Sequence, residues 1–404
     1  MSRVQYEKVN KPKPLSIRRI GSPKSGGSGQ ISKTNTLKYF TLFVNGGDSK
    51  LNSRERVLMA LEHEEPDLVP LTDHIYRQKS LEGILGEKGV RINTSEKYIK
   101  VHRILGLDLI CAFTNALAPV LPPKDLTADE EVDEWGIRHK IVDGMQWYLD
   151  GPIKSPEDFK KYEVPDPYIP NRFKSAKGIV RLVKDDLAIA GVIGGPFTTV
   201  LLFSGFNNFA KTLYTSPNSI LRLVEKITWY QTEIGKTLID VGIDIIWIAD
   251  DLGMINGPFL SPTTFRKYIF PCLKDMVVAF KRRGVKILLH SDGQIMPLMD
   301  DIVWAGIDGV HPIERKAGMS LELMKAQYGD DLTLIGNVDA TILLPHGTAE
   351  EIREQVLECL RIGAPGGGFI LTSDHSIHEG VKNVNAKIMF EIARKYRRYT
   401  TKAK

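Results

Sequence analysis

The second half of the sequence contains a histidine and an aspartate at a spacing that suits catalysis or metal binding. His290 and Asp292 are separated by one residue, so on an extended segment both side chains face the same way. This arrangement suits two ligands of one metal ion, or a carboxylate that orients a general-acid histidine. A hydrogen-bonded pair without a metal is an equally consistent interpretation, because His-x-Asp is a common sequence.

Other polar side chains follow short apolar runs in the same half of the chain. They are Asp250 with Asp251, His311 with Glu314, Asn337 with Asp339, and Asp374 with His375. If each run is a strand of one barrel, these side chains reach the same end of it, where barrel enzymes carry their active sites. The sequence therefore predicts an active site at that end. The alternative for the acidic residues is local, because an aspartate there can also cap the following segment or hold loop backbone.

Regular alternation of β-branched runs and helical patterns predicts the fold. Candidate strands lie at 68–71, 107–113, 187–193, 243–249, 285–290, 307–310, 332–335 and 369–372, and candidate helices include 217–241, 262–283, 321–328 and 349–362. Gly242, Gly284, Gly329 and Gly363 follow these helices, where a left-handed residue is favoured. Eight mostly apolar strands predict an α/β fold, a (β/α)8 barrel, with a hairpin excursion at 132–149. An open doubly wound sheet alternates similarly, but no G-x-G-x-x-G motif follows the first strand.

Charge divides the chain into two parts. The net charge of +5 on 404 residues arises in residues 1–50, which hold ten Lys and Arg against Glu7 and Asp48. This segment is rich in Ser and Gly, so we expect a disordered basic tail, with targeting as the alternative role. Residues 51–404, with 44 basic and 47 acidic residues, are predicted to form the barrel. A mildly acidic body argues against nucleic-acid binding.

Cysteine usage and hydropathy indicate the compartment. Three widely spaced cysteines, Cys111, Cys272 and Cys359, do not make a disulfide framework and fit a reducing environment. We find neither a secretory segment at the N-terminus nor an apolar run approaching the roughly 18 residues that cross a bilayer. The sequence therefore predicts a cytoplasmic protein that does not enter a membrane.

Several short motifs occur in an order that resembles one known family. They are Pro66-Asp67-Leu68-Val69-Pro70, Gly195-Pro196-Phe197-Thr198, Asp250-Asp251-Leu252-Gly253, Ser261-Pro262 before Phe265-Arg266, His290-Ser291-Asp292-Gly293, Gly306-Ile307-Asp308, Gly336-Asn337-Val338-Asp339 and Asn383. From about Arg54 to the C-terminus, the chain resembles the uroporphyrinogen decarboxylase superfamily, which contains the decarboxylases and a set of cobalamin-linked methyltransferases. The resemblance implies a (β/α)8 barrel, an enzyme acting on a small molecule, and a homodimer.

Resemblance to the decarboxylases implies particular residues at three substrate-facing positions, and this chain differs at each of them. An Arg-Gln-Ala-Gly-Arg loop is expected after the first strand, but only Arg77-Gln78 is present and the second arginine is missing. An aspartate that faces the pyrrole nitrogens is expected after the second strand, where this chain has Asn115. The expected tyrosine is replaced within Leu201-Leu202-Phe203. Because a neutral amide cannot stabilise a protonated pyrrole, uroporphyrinogen decarboxylation is the alternative function.

The methyltransferases of the superfamily are the closer match. The resemblance to them implies His-x-Cys after this strand and a second Cys near the last strand, which together hold zinc. His290 matches, Asp292 replaces the thiolate, and Asp374 or His375 takes the third position. Nitrogen and oxygen ligands suit zinc or a harder divalent ion. We therefore predict a corrinoid-dependent methyltransferase or demethylase that moves a methyl group between a small molecule and a cobalamin carried by a partner protein.

This interpretation assigns a role to each candidate residue. His290, Asp292 and His375 would bind metal or act as acid and base, while Asp250 and Glu314 would orient the substrate. The full prediction is His290, Asp250, Asp251 and Glu314 for catalysis, Arg77, Asn115, Phe197, Asn337 and Asp339 for substrate binding, and His290, Asp292, His375 and Asp374 for metal. A lyase or hydrolase that uses His290 and Asp292 without metal, and a non-catalytic ligand-binding derivative of the fold, are further alternatives.

Overall fold

The computed structural model describes residues 51–91, 95–115, 126–142 and 145–399. The predicted basic tail at 1–50 lies outside the described residues. Within them, no helix has both the length and the apolar character that spanning a membrane requires.

Helices and strands alternate along the chain as the sequence pattern predicts. The helices are α1 (Ser53–Leu61), α2 (Gln78–Leu85), α3 (Ser95–Leu105), α4 (Pro156–Lys161), α5 (Lys174–Val183), α6 (Thr198–Thr215), α7 (Pro217–Val241), α8 (Pro262–Tyr268), α9 (Phe270–Lys281), α10 (Met299–Ala305), α11 (Leu321–Tyr328), α12 (Leu343–His346), α13 (Ala349–Gly363) and α14 (Asn383–Tyr396). The strands are β1 (Leu109–Ala112), β2 (Glu130–Val132), β3 (Arg138–Val142), β4 (Met145–Asp150), β5 (Ala188–Gly194), β6 (Ile245–Ala249), β7 (Gly253–Met254), β8 (Gly257–Pro258), β9 (Lys286–His290), β10 (Gly309–His311), β11 (Thr333–Val338) and β12 (Phe369–Ser373).

Seven parallel strands form the main sheet, in the order β1-β5-β6-β9-β10-β11-β12. Residues 70–72 lie between its two edges and close it. The Thr72 amide donates to the Leu371 carbonyl on β12 (3.1 Å), and the Leu71 carbonyl accepts from the Asp108 amide beside β1 (2.7 Å). The predicted first strand, 68–71, is thus reduced to isolated bridges, in part because Pro70 has no N–H to donate. The seven strands and this segment together make the predicted barrel.

The barrel interior is apolar and is closed at its lower end by α1. Trp247, Leu288 and Ile335 pack inside the strands against Val57 and Leu61 of that helix. Asn52 and Glu55 cap the start of α1 with two reciprocal hydrogen bonds. The side chain of each accepts from the backbone amide of the other, which satisfies two N–H groups of the first turn. Because the lower end is filled by a helix, the open end of the barrel is the end at which the strands terminate.

Some predicted boundaries are wrong. The single helix predicted at 262–283 is two helices, α8 and α9, because Pro271 lacks the N–H that a continuous helix needs. Gly242 and Gly284 adopt left-handed conformations, with φ of 106° and 76°, as predicted. Gly329 instead has an ordinary φ of −65°, and Gly363 lies inside α13. The hairpin excursion predicted at 132–149 is confirmed as the antiparallel sheet β2-β3-β4.

Candidate active site

Two histidines end neighbouring strands and face each other. His290 and His311 are register partners at the ends of β9 and β10, so their side chains project from the sheet side by side. The Nδ1 atoms of the two rings lie 2.7 Å apart. One ring nitrogen therefore donates and the other accepts, and this contact fixes the orientation of His290.

The other nitrogen of His290 faces two carboxylates. Its Nε2 lies 3.5 Å from Oδ1 of Asp251 and 3.6 Å from Oδ1 of Asp292. The second carboxylate oxygen of Asp292 accepts a hydrogen bond from Nε2 of His375 at 3.1 Å. The structure thus brings together four predicted residues from the ends of three different strands. We refer to Asp251, His290, Asp292 and His375 as the mouth group.

Charge in the mouth group is shared between the carboxylates and one imidazole. The hydrogen bond to Asp292 raises the pKa of His375 to about 9, despite the opposing effect of burial, so His375 is cationic at neutral pH. Burial works to raise the pKa of Asp292, but the hydrogen bond from His375 and the charge of His290 outweigh it and the pKa is lowered. Partial burial raises the pKa of Asp251, and the nearby charge of Asp292 adds to this.

The donor atoms around His290 have a spacing that fits one metal ion. Tetrahedral zinc holds nitrogen and oxygen ligands at about 2.0–2.2 Å, which separates neighbouring donor atoms by roughly 3.4 Å. The separations of 3.5 and 3.6 Å from His290 Nε2 to the two carboxylates are close to this value. The Oδ1 atom of Asp292 is buried and has no hydrogen-bond partner among the described residues. Asp251, His290 and Asp292 therefore fit a divalent ion.

Asp250, beside the mouth group in sequence, is held differently. It is completely buried, and its carboxylate accepts from the backbone amides of Phe197 (3.1 Å) and Thr198 (2.7 Å) at the start of α6. Burial raises its pKa to about 7. Phe197 is itself buried, with its ring packed against Phe209 and Phe259. The geometry gives Asp250 a role in positioning the β5–α6 turn, not a place in the mouth, and Phe197 a role in packing.

Three predicted residues near the last strands also support loops. Asp374 is buried and accepts from the backbone amides of Arg315 (3.1 Å) and Ala340 (2.8 Å). The side chain of the buried Asn337 donates to the Ile313 carbonyl at 3.0 Å. Asp339 accepts from the amides of Thr341 and Ile342, both at 2.7 Å. Both carboxylate oxygens of Asp374 accept from backbone amides, so Asp374 in particular is not placed as a metal ligand.

The remaining predicted residues lie around the mouth group. Glu314 accepts from the Gly293 amide at 2.7 Å and so holds the loop that carries Asp292. Asn115 accepts from the Ser175 amide at 3.0 Å, at the start of α5. The Nε atom of Arg77 lies 3.9 Å from a carboxylate oxygen of Glu379.

Sequence reasoning assigned no role to His74, which lies beside the mouth group. Its ring centroid is 4.9 Å from that of His311 and 5.3 Å from that of His290. The preceding residue, Asp73, is buried and joins this segment to the last strand by accepting from the Ser373 amide at 3.0 Å. Both follow the apolar run at 68–71, so the rule that polar residues gather after strands would have found them.

A cavity lies next to the mouth group. Its lining includes Thr114, Glu134, Trp135, Tyr230 and Ala249, and its volume is about 180 Å³. Ala249 is the register partner of His290 on the neighbouring strand. A space of this volume with a partly polar lining has room for a small molecule.

Comparison with known proteins gives three findings. A family model described as uroporphyrinogen decarboxylase (URO-D) matches residues 130–396. A curated uroporphyrinogen decarboxylase from Trichlorobacter lovleyi is 24% identical, and the match covers 71% of this chain and 80% of that protein. A curated uroporphyrinogen decarboxylase from Vibrio campbellii is 25% identical, over 64% of this chain and 74% of that protein. The solved structure of a methyltransferase from Methanosarcina mazei superimposes with a TM-score of 0.68 at 21% identity, covering 86% of this chain and 99% of that one. The similarity to this methyltransferase structure shows a shared fold.

Proposed function

This chain belongs to the uroporphyrinogen decarboxylase family, and from that premise we propose that it is a methyltransferase which moves a methyl group between a small molecule and a corrinoid carried by a partner protein. The observation that carries the proposal is the set of donor atoms at His290 Nε2, Asp251 Oδ1 and Asp292 Oδ1. These residues would hold a divalent ion, with zinc as the first candidate. When bound, such an ion supplies Lewis-acid activation of the methyl donor or acceptor by lowering the pKa of its heteroatom.

The protein's own residues supply orientation and a proton. His311 fixes the ring of His290 through the 2.7 Å contact between their Nδ1 atoms. Glu314 holds the loop that carries Asp292 by accepting from the Gly293 amide. His375 carries a proton at neutral pH, because its pKa is raised to about 9. Removal of a methyl group from a heteroatom leaves a basic site, and the cationic imidazole of His375 would supply the proton that neutralises it.

Electrostatics around the mouth argues against a polyanionic substrate. Asp251, Asp292 and Glu314 bring carboxylates to this region, and Glu314 and Asp251 both help to raise the pKa of the His375 imidazole. Uroporphyrinogen, with eight carboxylates, would need several cationic partners. Asn115, at the position that resemblance assigns to a decarboxylase aspartate, is neutral and accepts from the backbone of α5. A small, weakly charged substrate suits both this charge and the adjacent cavity.

Uroporphyrinogen decarboxylation is the second candidate, and the names of the curated relatives favour it. The family model establishes the family, and identities of 24–25% to these relatives leave the substrate open. The altered Arg77 loop and Asn115 weigh against this reaction.

One assay separates the candidates. The purified protein is incubated with a methylated corrinoid protein and a panel of thiol, hydroxyl and amine acceptors, and demethylation of the corrinoid is followed by its visible spectrum. We expect transfer by the wild type and at least a 100-fold loss in His290→Ala, which removes the central ligand. The matched control is His346→Ala, because His346 is exposed at the end of α12. Turnover of uroporphyrinogen without methyl transfer would overturn the proposal, and inactivity in both assays would favour a ligand-binding derivative.

A further inference from the structure

Below the mouth group, three histidines and a tryptophan pack together inside the barrel. The ring of His74 lies 4.4 Å from Trp247, 4.9 Å from His311 and 5.3 Å from His290, measured between centroids. The ring of Trp247 also contacts His311, at 5.2 Å. We call His74, His290 and His311 the inner histidines. They come from three segments that are distant in the chain and meet only in the closed barrel.

Several polar atoms of this cluster are buried without partners. The Nε2 atoms of His74 and His311 and the Nε1 atom of Trp247 have no hydrogen-bond partner in the part of the chain that the structure describes. Buried nitrogen atoms of this kind are normally hydrogen-bonded or bound to a metal. These atoms therefore leave positions inside the barrel for a water molecule or a metal ion.

We propose that the inner histidines form a second metal position, for a late first-row transition ion such as Zn²⁺, Co²⁺ or Ni²⁺. One ring nitrogen from each of the three lies within 4.8 Å of the other two. Three imidazoles without a carboxylate select such ions over Mg²⁺ and Ca²⁺, which prefer oxygen. The Trp247 indole cannot ligate, but its N–H can donate to a water or anion in a fourth position.

The inner position is distinct from the one invoked for methyl transfer, although the two share His290. That residue directs Nε2 to the carboxylates of the mouth group, and its Nδ1 lies 2.7 Å from Nδ1 of His311, a contact that an ion at the inner position would replace. The mouth position uses two carboxylates, whereas the inner position uses nitrogen alone. Removing a mouth carboxylate should therefore leave the inner ion in place.

Cobalt binding tests the proposal, because Co²⁺ reports ligand number in its visible spectrum. Metal-free Asp292→Asn, in which the mouth position is disrupted, is titrated with Co²⁺ beside two double variants that add His74→Gln or the control His346→Gln to it. We expect Asp292→Asn, alone and with His346→Gln, to keep a tightly bound, intensely coloured ion. We expect the double variant with His74→Gln to lose affinity by more than the roughly 10- to 100-fold that loss of an outer-shell partner costs.

The outcomes that overturn the inner position differ from those that overturn the proposed function. Co²⁺ binding by the Asp292→Asn, His74→Gln double variant as tight as by Asp292→Asn, or no binding by Asp292→Asn, would each refute it. Methyl transfer by the wild type is assayed separately, so it can succeed where the inner position fails. If the double variant with His74→Gln does not fold by circular dichroism, X-ray absorption of zinc-loaded Asp292→Asn counts imidazoles directly; three are expected, and fewer would refute the assignment.

Discussion

Polar residues at the strand ends divide into two groups with opposite surroundings. In the mouth group, the side chains of Asp292 and His375 are 28% and 38% exposed, and they bond to each other. In the group that supports loops, Asp250 and Asp374 are 0% and 1% exposed and accept from backbone amides of other loops. The same residue types after the same kind of strand therefore serve either chemistry or architecture.

Adjacent residues show the difference most clearly. Asp250 supports the start of α6, while Asp251 faces His290; Asp374 supports two loops, while His375 faces Asp292. Successive side chains of an extended segment point to opposite sides, so a pair of polar residues at a strand end divides naturally into one for each side. In this barrel, a pair of polar residues is a stronger sign of a site than a single one.

The largest effect is expected from substitution in the mouth group. Asp292→Asn should lower turnover in the methyl-transfer assay by about 100-fold or more, because it removes a carboxylate that faces both His290 and His375. The free energy of unfolding, measured by urea denaturation, should change by no more than about 1 kcal/mol. Full activity in this variant would remove the distinction between the two groups.

The reverse pattern is expected for Asp250. Asp250→Ala should lower the free energy of unfolding by about 2 kcal/mol or more, because it leaves the buried amides of Phe197 and Thr198 without an acceptor. Metal content should be retained. Asp250→Asn is the matched control, since its amide oxygen can still accept from both amides. A stable Asp250→Ala protein that has lost its metal would place Asp250 in the mouth group after all.

The ion pair within the mouth group predicts a pH dependence. His375 has a folded-state pKa of about 9 against an ordinary 6.5, so the pair stabilises the metal-free protein fully below about pH 6.5, and this contribution is lost as pH rises through about 9. In Asp292→Asn the pKa of His375 should fall towards 6.5, because the hydrogen bond to the Asp292 carboxylate is the main cause of the raised pKa. An NMR titration of the ring protons measures the shift. Titration near pH 9 in the variant would show that Asp292 is not the cause.

The smallest effect is expected at Arg77. Its guanidinium lies 3.9 Å from Glu379, and its side chain is 32% exposed, so the pair is weak and screened by solvent. Arg77→Gln should change the free energy of unfolding by less than about 0.5 kcal/mol. A loss above about 1 kcal/mol in urea denaturation would instead make Arg77 part of the loop-supporting group.

Much of this organisation could be predicted from the sequence. The alternation of strands and helices, the helix α7 with its left-handed Gly242 and the His290-x-Asp292 pair follow from local periodicity and spacing. These features depend on near neighbours in the chain, which a sequence shows directly. Zinc, the corrinoid partner, the homodimer and the cytoplasmic location stay predictions.

Only the tertiary structure decided which polar residues share the mouth. Asp250, Asp374 and Asn337 were predicted for the site, yet each bonds to the backbone of a distant segment. His74 joins the inner histidines because residues 70–72 close the barrel between β1 and β12. Whether a side chain meets an ion or a backbone amide depends on the register of strands far apart in sequence. That register is fixed when the whole sheet closes, so no local pattern contains it.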